Sequence, residues 1–534
     1  MTKAKSSTEN TTADQTVGSA KAADELPYSK DPELVFGLVG PIGVDLEYVT
    51  EVLSEALRVV NYQTHVFRIT DLMKEVNTGL PLEAEEYIES IKQRIAYANK
   101  VREQLDRNDA LAILAVSAIR EFREQAGGNA EVPLSKRAYV LRQFKRPEEI
   151  KLLRSVYGRQ FIQVSIHAPQ DYRIRRITIK EVQSRKGLVS NVDAENAAHA
   201  LVKQDDNESY DGHGQNVRDA FPLADVFIEA PNKVSCKTTI ERFINALFGD
   251  NSASPTHDEY GMYVAKSAAL RSSALTRQVK AAVFRPSGEI ISMGCNEVPR
   301  AGGGTYWSGD QPDGRDFAMG GDPNEQKKNE LLVDLVDRLR KKHFLSEPLM
   351  EMGDAAKVSE VLLKDNGNEC VKDSKIMDLL EFGRDIHAEM SAISDAARNG
   401  IAVKDAILYC TTFPCHICAK HIIAVGMSKV VYIEPFPKSY AEELHADAIR
   451  VEGDGKDGKV GFVRFIGISP FRYRDFFEKG KRKYLGGSPQ KWNRDEMRPM
   501  IDVLFPSYSK SETFIVNLLA DKIEALNKAS EDIK

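Results

Sequence analysis

Leu408-Tyr-Cys-Thr-Thr-Phe-Pro-Cys-His-Ile-Cys-Ala-Lys420 reads as a short β-strand broken by Pro414, then a helix whose first turn carries Cys415 and Cys418. His387-Ala-Glu389, 27 to 31 residues before Pro414 to Cys418, lies at the start of another helical pattern running from Ile386 to Arg398. Two helix starts therefore flank one strand, Ala406 to Cys410. His387, Cys415 and Cys418 are three soft or borderline donors that suit Zn²⁺, and three rather than four leave a position for water. Ligands on the first turns of adjacent helices can converge on one ion, and the helix dipoles favour the thiolates. Glu389, two residues past the histidine, is read as the proton carrier rather than as a ligand. A closed structural site completed by His421 and a redox cysteine pair are the blander readings. The redox reading needs neither His387 nor Glu389, and the structural one gives no reason for the two motifs to flank one strand.

Outward from this motif, composition limits the class of protein. Six cysteines in 534 residues are too sparse for a disulfide scaffold, and 42% hydrophobic with 28% charged residues is ordinary for a soluble globular chain. The longest purely apolar run, Ala110 to Val116, has seven residues, against roughly 20 needed to span a bilayer. The N-terminus carries no apolar core of a secretory signal. A cytoplasmic, reduced protein with no membrane partner is expected. The net charge of −6 gives no overall drive toward nucleic acid.

The pattern along the chain divides it. Residues 1–30, rich in Ser, Thr, Ala and Lys, read as a disordered tail. From 31 to 249, β-type runs (Leu34–Val39, Thr64–Arg68, Ala110–Val116, Ala138–Leu141, Phe161–Ile166, Val226–Glu229) alternate with helical stretches such as Leu46–Val60 and Glu85–Leu105. That alternation predicts an α/β layer with a mostly parallel sheet. After a linker at Asn251–Thr256, a second α/β domain covers 250–485, with an insertion over about 301–380. An extension, 486–534, is helical from about 511.

The first domain opens on Gly37-Leu-Val-Gly40-Pro-Ile-Gly43-Val-Asp45, a strand-to-helix loop of the kind that can cradle phosphate. Against G-x-x-x-x-G-K-[ST] it lacks the lysine, with Val44 in that place, and has Asp45 where Ser or Thr is required. Gly37, Gly40 and Gly43 are read as a degenerate P-loop that is inert scaffold or holds a regulatory nucleotide. Arg142, Lys145, Arg146, Arg173, Arg175 and Arg176 are candidate phosphate-facing residues or a solvated face. Between Arg472 and Arg498, nine Lys/Arg and four Asp/Glu are interleaved with Tyr473, Phe476, Phe477, Tyr484 and Trp492. Stacking on a single strand, packing under a basic rim, or binding a free triphosphate all fit that composition.

H-x-E followed by P-C-x-x-C is the zinc-deaminase signature, and residues from about 257 to 440 resemble the cytidine/deoxycytidylate deaminase family. Gly294-Cys-Asn296, Glu297-Val-Pro299-Arg300 and Val430-Val-Tyr432 are similar to its deoxycytidylate branch. The resemblance implies a three-layer α/β/α zinc domain, with Asn296 on the nucleotide sugar and Arg300 facing a phosphate. The whole layout resembles anti-phage deoxycytidylate deaminases, in which a P-loop-kinase-like domain precedes the deaminase. It implies conversion of dCTP and dCMP to dUTP and dUMP and depletion of the dCTP pool. It further implies a nucleotide at the N-terminal domain, a small-RNA or other antitoxin-type regulator, and a homo-oligomer. Two rivals stand beside it: a polynucleotide cytosine deaminase editing DNA or RNA, and a nucleotide sensor with an inert deaminase domain.

Overall fold

The computed structural model describes residues 31–531 apart from 209–210, 365–369, 372–373, 437, 454, 456, 480–481, 483–491, 493–496 and 502–506. The tail expected over 1–30, and Tyr484 with most of the basic stretch around it, lie outside the described residues.

The first sheet holds β1 (Leu34–Val39), β2 (Gln63–Arg68), β3 (Arg137–Phe144), β4 (Phe161–His167) and β5 (Val226–Glu229), in the order 5-4-1-3-2 and all parallel. β1 is buried along its whole length, as expected for a strand covered on both faces. Helices α1 (Leu46–Val59), α2 (Tyr87–Leu105), α3 (Ala110–Gly127), α4 (Gln170–Ser184), α5 (Asn191–Asp206) and α6 (Lys233–Leu247) belong to this half of the chain. The strand expected at Ala110–Val116 is instead the start of α3. A continuous apolar run fits a buried strand or a buried helix equally. Here Ala-rich helix-forming sequence carries it on to a left-handed Gly128 cap, and every residue from Ala110 to Val116 is buried.

The second half begins with α7 (His257–Ala268), whose Thr256 and Glu259 form a reciprocal capping box. Its sheet contains β6 (Lys280–Phe284), β7 (Ile290–Cys295), β8 (Ile407–Thr412), β9 (Lys429–Glu434), β10 (Ile449–Val451) and β11 (Val460–Arg464), in the order 10-11-9-8-6-7. The 10-11-9-8 part is parallel, and β6 runs antiparallel to both β8 and β7. Between β7 and β8 lies α8 (Pro323–Lys341), which packs Leu332 and Val336 on Ala355 and Val358 in a small core of its own. α9 (Ala388–Arg398) and α10 (His416–Ala424) cover one face of the sheet and α7 the other.

The period-2 alternation of the strands divides the packing. Ala281, Val283, Leu408 and Cys410 pack with α9 and α10. Ala282, Phe284 and Tyr409 join Met262 and Val264 of α7 in a core continuous with that of the first sheet. Two later elements tie the halves further. β12 (Gly467–Ile468) adds antiparallel to β5, and α11 (Ser507–Glu531) lies on α3. At that second contact Arg123, fully buried, is held by Glu33 and Glu512. No helix of the described residues is long and apolar enough to cross a membrane.

Candidate active site

α9 and α10 start at the C-terminal ends of β7 and β8, where a helix covering a sheet presents its first turn. His387 is the N-cap of α9 and Cys415 the N-cap of α10, both in extended backbone conformation. Gly294, near the end of β7, sets how closely α9 approaches. A Cβ there would stand 2.1 Å from the Ala388 carbonyl oxygen and 2.5 Å from the Ala392 nitrogen. A bridge between Glu297 and Ile386 then brings the strand's end alongside the histidine.

The three expected donors meet. His387 Nδ1 lies 3.2 Å from Cys415 Sγ and 3.4 Å from Cys418 Sγ. Zinc–sulfur and zinc–nitrogen bonds of about 2.3 and 2.0 Å at tetrahedral angles give donor spacings of roughly 3.5 Å, so this trio fits one Zn²⁺. Among the described residues it is the one group of three such donors gathered within 4.8 Å, and neither His421 nor Glu389 joins it. The closed Cys₂His₂ alternative therefore loses its fourth ligand. Hydrogen bonds from Cys418 and His387 pull the Cys415 thiol well below its ordinary range, which favours the ligating thiolate.

Glu389 is 3% exposed, with Oε2 3.5 Å from Cys418 Sγ. Burial raises its carboxyl above the usual range, and the Cys415 charge adds to the rise. A carboxylate beside the trio but outside it can exchange a proton with whatever occupies the fourth position.

Residues 255–434 match the family model described as the cytidine and deoxycytidylate deaminase zinc-binding region. This stretch is similar to the zinc-binding region of those deaminases. The deoxycytidylate deaminase of Enterobacteria phage T4 is 47% identical over 55 residues, 10% of this chain and 28% of that protein. The ComE operon protein 2 of Bacillus subtilis is 36% identical over 83 residues, 15% of this chain and 44% of that protein. The chain thus spans less than a third of the phage relatives it matches. The solved dCMP deaminase of cyanophage S-TIM5, in apo form, is 17% identical over 40% of this chain and 99% of its own, with a TM-score of 0.21.

Just after β7, Asn296 is buried and its amide is already bonded. Oδ1 accepts from the Val279 amide at 2.7 Å and the Ser272 hydroxyl at 3.0 Å, while Nδ2 donates to the Arg277 carbonyl at 2.8 Å. Arg300 is half-exposed and paired with Asp310 at 3.1 Å. Sequence reasoning passed over Glu297, which is 1% exposed and accepts from the Ser273 amide and hydroxyl.

The N-terminal candidates do not form one site. Gly37 lies inside β1, where a Cβ would strike the Phe161 ring at 2.7 Å. The Gly40 carbonyl accepts from Gln143 and, at 3.0 Å, from Lys145 Nζ. Gly43, at φ +94°, backs onto Arg173 and borders a cavity that Gly37 and Gly40 do not line. Of the basic residues, Arg142, Lys145 and Arg176 line that cavity; Arg146 bonds the Gly214 carbonyl and Arg175 is exposed.

Within the described part of the basic stretch several side chains are packed, while Arg474, Arg482 and Arg498 are exposed. Arg472 is buried on Asp225 at 2.9 Å, Tyr473 stacks on Tyr263 at 4.1 Å, and Phe476 is fully buried. Trp492 donates to the Phe248 carbonyl at 3.2 Å. These side chains are occupied by the fold rather than presented to a strand of nucleic acid.

Proposed function

We propose that this protein hydrolyses the 4-amino group of free deoxycytidine nucleotides, converting dCTP and dCMP to dUTP and dUMP. The observation that carries the reading is the buried Glu389 carboxylate beside, but outside, the His387–Cys415–Cys418 trio. Those three residues would hold Zn²⁺, which would supply the Lewis acidity that lowers the pKa of water from 15.7 toward about 7. Glu389 accepts the proton given up by the attacking water and passes it to ring N3. It then takes the remaining proton from the hydroxyl added at C4 and delivers it to the departing amine, so that water and the aminopyrimidine become the 4-oxo ring and ammonia. His387 and the two cysteines hold the centre at the mouths of two helices. Asn296, fixed by Ser272, Val279 and Arg277, is assigned to the nucleotide sugar and Arg300 to a nucleotide phosphate.

The two-domain layout supports a role in defence against phage through loss of the dCTP pool. The packing of Tyr473, Phe476 and Trp492 weighs against editing of a polynucleotide. Product analysis of the zinc-loaded protein with dCTP, dCMP, deoxycytidine, CTP and a single-stranded oligonucleotide tests the activity. Ammonia from the free deoxynucleotides is expected, and release from the oligonucleotide alone would overturn the proposal. A Glu389→Ala chain that protects cells from phage as well as the native one would overturn the link between chemistry and defence.

A further inference from the structure

A cavity of about 510 Å³ opens in the first half of the chain between the glycine loop, α1, α2 and α4. That volume lies in the range of small-molecule sites, roughly 300–1,000 Å³. Eight Lys and Arg line it against four Asp and Glu. One wall is apolar, with Ile91, Ile95 and Ala98 of α2 beside Leu82 and Met73.

The glycine loop itself is already satisfied. The Ile42 amide donates to Asp205 Oδ2 at 2.6 Å, and Lys145 Nζ bonds Asp205 Oδ1 at 2.6 Å. Asp205 comes from α5 and its side chain is fully buried. Its carboxylate receives the loop amide and a lysine, the partners a phosphate would take in such a loop. The chain thus fills the loop's anion seat with its own side chain. Lys145 supplies the ammonium that the loop sequence lacks.

Cations further along the cavity are less committed. Lys180 and Arg94 have no carboxylate within ion-pair distance among the described residues; Lys180 instead lies over the Tyr87 ring at 5.0 Å. Burial and the neighbouring Arg176 push the Lys180 ammonium down, and Asp45 offsets only part of that. Arg176 reaches Asp45 at 3.1 Å, and Arg142 reaches the exposed Glu47 at 2.6 Å. We propose that this cavity binds a nucleoside phosphate, with its phosphates on Lys180, Arg176, Arg142 and Arg94 and its base against the Ile91–Ile95 wall. The phosphates do not enter the glycine loop, which Asp205 seals. The site is independent of the zinc chemistry and stands or falls without it.

Calorimetric titration of the full, zinc-loaded chain with ATP, GTP, dTTP and inorganic tripolyphosphate tests this. One nucleotide should bind one per chain with Kd below about 100 μM, and tripolyphosphate at least tenfold more weakly. Lys180→Glu, a partly exposed position, should weaken both kinds of probe at least tenfold. Ile91→Gln should weaken the nucleotide several-fold and leave tripolyphosphate unchanged. Far-UV circular dichroism and zinc content verify that each variant folds. Absence of binding by all four probes at millimolar concentration overturns the proposal. So does binding that neither variant changes, or tripolyphosphate binding as tightly as the best nucleotide.

Discussion

Replacing Glu389 by Gln isolates the proton-carrying role from zinc binding. The amide keeps the size and polarity of the side chain, 3% exposed at the second position of α9, but cannot take up a proton. Glu389 Oε2 is 3.5 Å from Cys418 Sγ, yet the carboxylate does not fall within 4.8 Å of all three donors. A fourth ligand would have to stand roughly 3.5 Å from each. Zinc should therefore remain near one per chain in Glu389→Gln, measured by plasma mass spectrometry after dialysis. General acid–base catalysis contributes about 10²–10⁴-fold, so kcat for dCTP or dCMP should fall by at least about 100-fold. At 1.36 kcal/mol per decade that is roughly 3–5 kcal/mol of barrier. KM should stay within a few-fold, because the lost interaction belongs to the transition state. A variant retaining kcat within tenfold would refute the assignment. Loss of zinc in step with activity would instead make Glu389 a ligand.

The remaining predictions concern what holds the site and its supports. Gly294→Ala should push α9 off β7 and weaken zinc binding at least tenfold in a competitive chelator titration, since the new Cβ meets Ala388 at 2.1 Å; zinc bound as tightly as in the native chain would count against the close-approach argument. Arg123→Met should cost about 3–5 kcal/mol in urea unfolding, because it leaves Glu33 and Glu512 buried without their cation; a loss under about 1 kcal/mol would show the cluster to be dispensable. Burial lowers the Lys266 ammonium to about 8, below the value of about 10.4 in an unfolded chain. The unfolded chain then binds more protons between those limits and stability rises with pH across them. Lys266→Met should raise Tm at pH 7 and lose that advantage by pH 10.5 in scanning calorimetry; an advantage independent of pH would refute the charge-burial account.

What was legible in the sequence was local. Cys415 and Cys418 share one helical turn, and His387 with Glu389 sits on another, so spacing alone singled out the residues that the fold brings together. β1 and β5 were readable because apolar runs of four to six residues end at turn-forming sequence. Ala110–Val116 was misread because burial on every side erases the period that separates helix from strand. Contacts between distant positions left no trace. Asp205 caps an amide 163 residues away at Ile42, and no charge pattern near either residue announces it. Likewise β12 gives no strand signal of its own, being two residues long and defined by its partner β5.

The alternation in β6 and β8 explains why the zinc face and the first sheet belong to one folding problem. Ala281, Val283, Leu408 and Cys410 support the helices that carry the donors. Their immediate neighbours Ala282, Phe284 and Tyr409 pack into the core shared with β1, β3 and β4. α7 is drawn tight against this sheet, since a Cβ on Gly261 would lie 2.4 Å from the Tyr409 ring. The same helix is anchored to the first half by Arg242, which bonds Glu259 through two contacts of 2.6 Å. Glu259 in turn accepts the Ile468 amide of β12 at 2.8 Å. A strand that buries one side chain under the zinc helices and the next in the first sheet's core cannot shift for one without disturbing the other. Cutting the chain in the Asn251–Thr256 segment would expose that shared apolar face, so residues 255–434 should need the first half for their stability even though all three zinc donors lie outside it.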